Sequence, residues 1–232
     1  NKLNSEYITP ISKTFREYRN KLELTNYQLK IINKYQKKFK LKIIFSALDK
    51  KSFISLKKMG FKFFKIPSTI SLHKNYINFM AKQKLSEIII STGMTNERYL
   101  KYIISRFKKF KKLYLLHAVS AYPTYYKTIN LNVLKYYIQL SKKYKNIKPG
   151  YSSHDIGNTG SMLAVAAGAK MIEKHVKIGV SQWMHYDDVA IDVNLELPQF
   201  VSDLNVVTNI MGTGQKRIYK EEFHKYKPVK KI

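Results

Sequence analysis

Apolar residues fall along this chain in short runs of four or five, separated by longer stretches in which they recur every three or four positions. The short runs, near 42–45, 61–65, 87–91, 113–117, 149–152 and 171–175, have the length and β-branched or aromatic content of strands. Between them the spacing predicts helices. One begins at Leu24-Thr-Asn-Tyr-Gln with Thr25 as N-cap and Leu29, Ile32 and Tyr35 on one face. Others cover 49–58, 76–84, a stretch from the Asn96 cap to about 107, and 131–143. A helix of small residues from Gly160 to Ala167 stops at Gly168. Residues 1–20, polar and tyrosine-bearing, read as a loop or an incomplete connection.

Strand and helix alternate at about 25–30 residues per unit, which argues for an α/β fold with a parallel sheet. No Gly-x-Gly-x-x-Gly follows any strand, so the dinucleotide-binding open sheet lacks its fingerprint. The other arrangement is a (β/α)₈ TIM barrel, here incomplete: with six strands in hand, two more are expected before residue 1. The edges beside that gap are expected to expose apolar side chains, and the piece to be poorly soluble or inactive by itself.

Composition changes this picture little. A chain of 232 residues with 44% hydrophobic content can bury one sizeable core. The absence of cysteine excludes disulfides, thiolate metal sites and a cysteine nucleophile. No apolar run is long enough for a spanning helix, so no membrane partner is expected; no signal peptide is visible, but the chain opens at Asn1 without a methionine, so its true N-terminus is expected upstream. The formal net charge of +28 raises the question of polyanion binding. The lysines look scattered, with local clusters such as Lys108, Lys109, Lys111 and Lys112, and no nucleic-acid-binding signature accompanies them. A solvated basic surface is the simpler reading.

Two runs carry candidate chemistry. Gly150-Tyr-Ser-Ser-His154 and Ile172-Glu-Lys-His175 each end a strand and deliver a histidine where it stops. In a parallel barrel, chemistry is assembled at those strand ends. Two imidazoles there, with Glu173 close by, suit a divalent ion of the Mn, Fe or Zn type. Glu173 and His175 are two apart, so both point to one side of their strand, while Lys174 points toward the outer helices.

Further runs fall in a telling order: Lys21-Leu-Glu-Leu-Thr25, Phe45-Ser-Ala-Leu-Asp49, Lys65-Ile-Pro-Ser68, Ser91-Thr-Gly-Met94 and Leu115-Leu-His-Ala-Val-Ser-Ala-Tyr-Pro-Thr124. With the two histidine runs, the chain from about 20 to 215 resembles the sialic acid synthase family, the phosphoenolpyruvate-dependent synthases of nonulosonic acids. The resemblance implies the central part of a (β/α)₈ barrel over 1–215, with 216–232 as a linker towards a C-terminal antifreeze-like domain. It also implies a homodimer, and a cytoplasmic location fits a soluble, cysteine-free enzyme of this kind; no specific nucleic acid is expected, since no recognition signature accompanies the charge.

The implied reaction joins phosphoenolpyruvate to the open-chain aldehyde of an N-acyl hexosamine. By match to the family, His154 and His175 would hold a divalent metal, usually Mn²⁺ with Mg²⁺ as the alternative. Lys65, Ser68, Ser91 and Ser152 would bind the anion, since a lysine supplies a point charge and hydroxyls supply directed hydrogen bonds. Ser120 and Tyr122 would lie near the substrates, and Glu173 would handle water, a proton or a sugar hydroxyl. Other roles stay open: Lys65 could simply pair with Glu173, and Glu173 could support a metal histidine. His117 ends its strand on the same barrel face but serves there as wall.

Some positions depart from the family pattern. Ile70 stands where an acid is common after the Lys-x-x-Ser run. The usual Ser-Asp-His-Thr is Ser152-Ser153-His154-Asp155, and a Gly-Pro-Asp-His segment gives way to Gln182-Trp-Met-His-Tyr-Asp-Asp188. The stretch from Trp183 to Asp192, with His185, Asp187, Asp188 and Asp192, reads either as an acceptor-binding loop or as a solvent-facing acidic one. These departures point to a changed acceptor, as in synthases of legionaminic or pseudaminic acid. Two further classes stand beside the enzyme: a catalytically impaired anion-binding barrel, and a basic polyanion-binding protein.

Overall fold

The computed structural model describes residues 11–179, 186–223 and 225. In chain order the elements begin with α1 (Phe15–Leu22), α2 (Asn26–Lys38), β1 (Ile44–Phe45), α3 (Lys50–Lys58), β2 (Phe63–Ile66), α4 (Ser68–Ser71) and α5 (Lys74–Ala81). Then come β3 (Glu87–Ser91), α6 (Glu97–Phe107), β4 (Lys112–His117), α7 (Tyr126–Ile129), α8 (Asn132–Lys143) and β5 (Ile147–Ser153). The last are α9 (Thr159–Ala166), β6 (Ile172–Lys174), β7 (Val176–Lys177), β8 (Ile191–Asp192) and α10 (Leu197–Met211).

β1 to β6 form one six-stranded sheet in sequential order, every pair parallel. That is the order expected from the alternation of strand and helix. β7 follows β6 after a single residue, His175, and pairs in parallel with β8. The Ile191 amide donates to the His175 carbonyl at 3.0 Å, so the run from Ile172 to Lys177 meets β5 with its first half and β8 with its second.

Register divides the sheet into two faces. Phe64, Ile66, Ile88, Ile90, Leu113 and Leu115 point to the face that packs on the helices, where Phe53, Ile77, Met80, Ile103 and Phe107 complete the main core. All of these are essentially inaccessible to water. The opposite, open face is less covered. Ile44 is 39% exposed, and Phe63, Tyr114 and Lys148 are only half-buried. Exposed apolar side chains include Leu41, ahead of β1, and Val176 in β7 with Ile178 after it, downstream of β6.

Local signals account for most helix starts. Thr25 and Gln28 form a reciprocal capping box, and Asp49 and Asn96 cap α3 and α6 through their side chains. The stretch read as a loop over 1–20 contains α1 instead. Thr14 accepts the Glu17 amide at 3.2 Å and Tyr18 is buried, so a Thr-x-x-Glu start was present beneath the polar composition. α10 was not anticipated either; it packs on α9 and buries only Phe200.

The cations are not scattered. Lys and Arg are the only charged residues in the turns 37–42, 57–62, 106–112 and 142–148, and Glu87, paired with Lys42, is the one acid in 82–87. All these turns join a helix C-terminus to a strand N-terminus, so parallel topology gathers them at one end of the sheet. Helix dipoles favour cations there. Among the described residues no helix is long and apolar enough to cross a membrane.

The two faces should respond differently to truncation. Ile90→Ala on the helix side should cost about 2–5 kcal/mol in urea denaturation, whereas Ile44→Ala on the open side should cost less than about 1 kcal/mol. Equal losses would contradict the asymmetry of the two faces.

Candidate active site

Alternation and register place six side chains on the open face at the C-terminal strand ends. Lys65 pairs in register with Ile89, two residues before Ser91, and Ser152 lies opposite Glu173. His154 and His175 continue the same alternation one step further along. The Lys65 ammonium contacts the Glu173 carboxylate, and the Ser152 hydroxyl donates to the same Glu173 oxygen at 3.1 Å. Lys65 is thus neither solvated nor isolated: it forms an ion pair across the open face, which was the alternative role considered for it.

The two imidazoles come together. Their ring centroids lie 5.5 Å apart with planes 30° from parallel. His154 is buried, and its Nδ1–H donates to the Val119 carbonyl at 2.7 Å, since a carbonyl can only accept. That bond fixes the tautomer and leaves Nε2 as the atom with a lone pair. Burial lowers the His154 pKa against the opposing pull of that hydrogen bond and of Glu173, so the ring is neutral at pH 7. The Tyr122 ring centroid lies 4.2 Å from that of His154 and 5.7 Å from that of His175, while Tyr186 stacks on His175 at 4.5 Å. Burial, with the Glu173 charge nearby, pushes the Tyr122 phenol up to about 12 and keeps it protonated.

A neutral imidazole held by a backbone carbonyl, with a second imidazole beside it, is a donor set suited to a divalent ion. Among the described residues no group of three or more His, Cys, Asp or Glu stands ready to hold a metal. The described residues offer two histidines, His154 and His175, to such a site.

Beside this cluster lie hydroxyls with few obligations. Ser68 accepts the Gly93 amide at 3.1 Å, and a Cβ on Gly93 would come within 2.6 Å of that hydroxyl. The Ser91 and Ser120 hydroxyls are buried with no hydrogen-bond partner among the described residues. Ser120 also lines a cavity of about 600 Å³ shared with Thr92, Asn96, His117 and Tyr137. Buried orphan hydroxyls are costly unless something else satisfies them, which fits a site that receives a polar ligand.

Other candidates fall elsewhere. His117 pairs with Tyr151 on the helix side, donates Nε2–H to the Ile129 carbonyl at 2.7 Å, and faces Tyr137; it is not on the face with His154. Ile70 is buried in the main core. Asp187 and Asp192 are buried rather than solvent-facing. Asp192 accepts amides from Gly179, Asn194 and Leu195, which hold its carboxyl below the usual range and make it a turn-former. Asp188 is exposed, while Trp183 and His185 lie outside the described residues. Tyr186 and Val119 lie within runs quoted from the sequence, but nothing in residue type singled out either one individually.

A family model described as the NeuB family matches residues 3–216. Human N-acetylneuraminate-9-phosphate synthase is 28% identical over 89% of this chain and 56% of its own length. The N,N'-diacetyllegionaminic acid synthase of Campylobacter jejuni is 30% identical over 87% of this chain and 60% of its own. The chain thus spans under two thirds of the curated relatives it matches. A solved N-acetylneuraminic acid synthetase from Leptospira borgpetersenii, in complex with citrate, superposes with a TM-score of 0.76 at 27% identity, covering 86% of this chain and 68% of that one.

Burial lowers the pKa of both His117 and His154 in the folded protein, from a reference of 6.5. Below that value the unfolded chain takes up protons that the folded one refuses, so stability is full above about pH 7 and falls on acidification. Thermal unfolding midpoints from pH 8 to 5 should be flat, then decline below about 6.5. A midpoint that rises on acidification would contradict neutral, buried rings.

Proposed function

Because the chain belongs to the NeuB family, we propose that its open face condenses phosphoenolpyruvate with the open-chain aldehyde of an N-acyl hexosamine to give a sialic-acid-type nonulosonic acid and phosphate. The observation that carries this reading is the convergence, on one face, of the Lys65–Glu173–Ser152 cluster with the His154–His175 pair. In the reaction, C3 of phosphoenolpyruvate attacks the aldehyde carbon and the aldehyde oxygen takes a proton. Water adds at C2, and the C2–O bond to phosphate then breaks.

Each residue has a task that suits its surroundings. Lys65 offers its charge to the carboxylate or phosphate of phosphoenolpyruvate, exchanging part of its contact with Glu173 for the ligand. Ser68, Ser91, Ser120 and Ser152 supply hydroxyls, and the two without partners supply them at least cost. Glu173, released in part, orients the attacking water and accepts its proton. The protonated Tyr122 phenol donates to a sugar oxygen. His154 and His175 would hold Mn²⁺ or Mg²⁺, which when bound polarises a carbonyl as a Lewis acid.

We further propose that β1 to β6 are strands of a (β/α)₈ barrel. Sequential parallel order, helices on a single face and an under-covered open face support that architecture. A second reading, weak polyanion binding, draws on the cation-rich end of the sheet and does not involve the strand-end cluster. Salt-sensitive retention on heparin that survives Lys65→Ala would be its mark.

The test is phosphate release from phosphoenolpyruvate and Mn²⁺ across a panel of N-acyl hexosamines. Turnover with at least one acceptor is expected, and Lys65→Ala should lower kcat/KM by about 10-fold or more, as for loss of a charge-assisted contact. Binding of phosphoenolpyruvate without turnover would leave an anion-binding barrel. Unchanged kinetics in Lys65→Ala would remove that residue from the site.

A further inference from the structure

The helix-facing side of the same two strand ends holds a second polar cluster that the proposed chemistry does not use. Asp155 is fully buried. Its Oδ1 accepts from the Tyr151 and Ser153 hydroxyls, each at 2.7 Å, and its Oδ2 accepts the Gly160 amide at 3.2 Å. Lys174 donates to the Ser153 hydroxyl at 3.0 Å and to the Asp155 carbonyl. Gly160 is needed for this approach, because a Cβ there would come within 2.5 Å of Asp155 Oδ2. A carboxylate at this depth is tolerated only when its oxygens are satisfied and a cation is near, and both conditions hold.

We infer that Asp155, Ser153 and Lys174 form a clamp that positions His154 and His175. His154 is flanked in sequence by Ser153 and Asp155, and His175 follows Lys174 directly. In a strand, neighbours point to opposite faces, so pinning the flanking residues on the helix side aims both imidazoles at the open face. The clamp also bridges the two strands: Ser153 and Lys174 are partners in register, one step before the histidines. The backbone of β5 and β6 is thereby fixed on one side while the other side is left free for ligands.

The clamp also explains a departure in the motif. In the pattern this chain resembles, the acid precedes the histidine, as Ser-Asp-His-Thr; here Ser153 precedes it and Asp155 follows. Both side chains lie on the same side of the strand and meet at 2.7 Å, so a carboxylate from either position reaches the same place.

This inference rests on reading His154 and His175 as the metal-holding pair, and its test separates the two. The first readout is the imidazole ¹H–¹⁵N spectrum of the metal-free protein, which reports histidine tautomers without any metal. The parent should show His154 as the Nδ1–H form alone. Asp155→Thr should show a mixture of tautomers, and the exchange Ser153→Asp with Asp155→Thr should restore the parental pattern. If Asp155→Thr fails to fold, the double variant decides alone: a folded protein with the parental pattern supports the clamp, and a misfolded or mixed one overturns it. A parental tautomer in a folded Asp155→Thr also overturns it. The second readout is Mn²⁺ affinity by calorimetry, expected to weaken by about 10-fold or more in Asp155→Thr and to recover in the double variant. A parent that binds no Mn²⁺ would refute the metal reading and leave the spectra to decide the clamp. Unaltered affinity in Asp155→Thr would show that the clamp does not act on the metal pair.

Discussion

The pairing of β5 with β6 is the constraint on which the rest of the site depends. It sets Ser152 opposite Glu173 and Ser153 opposite Lys174. Because side chains alternate, this one register sends Ser152, Glu173 and the two histidines to the open face, and Ser153, Lys174 and Asp155 to the helix side. A slip of β6 by one residue would send Glu173 and His175 to the helix side and Lys174 to the open face, separating the two imidazoles.

The two faces hold opposite kinds of interaction, and the contrast follows from what each must do. On the helix side large apolar residues from β2, β3 and β4 pack against α3, α5 and α6, and Asp155 has a donor for each oxygen. On the open side several groups are only partly committed. Ser91 and Ser120 have no hydrogen-bond partner among the described residues, and Lys65 and Glu173 satisfy each other. Such an ion pair holds both charges in place until a ligand offers Lys65 a better partner. A rigid wall carrying unsatisfied groups is the arrangement that preorganises a binding site.

Much of this was legible in the sequence, for reasons that can be traced to particular residues. Thr25, Asp49 and Asn96 announce their helices because a capping side chain acts on amides two or three positions away. The strand from Glu87 to Ser91 was legible in full because an isoleucine run bounded by polar residues admits few other readings. Lys65, Glu173, His154 and His175 could be picked out by type and by motif order, and strand register brings them to one face. What was hidden depends on the third dimension. His117 looks like another strand-end histidine until its register with Tyr151 sends it to the helix side. The lysines look scattered until parallel topology brings the turns that carry them to one end of the sheet. α1 was masked by polar composition, and α10, with a single buried residue, had little core pattern to show.

The central claim is that one strand register delivers His154 and His175 to a shared ion on the open face. Electron spin-echo modulation of the protein loaded with one equivalent of Mn²⁺ tests it most directly, because couplings to imidazole nitrogen appear only from ligands bound to the ion. The account predicts two such nitrogens in the parent, and one in each of His154→Ala and His175→Ala. Modulation from water protons alone, or two nitrogens that persist in either variant, would contradict it.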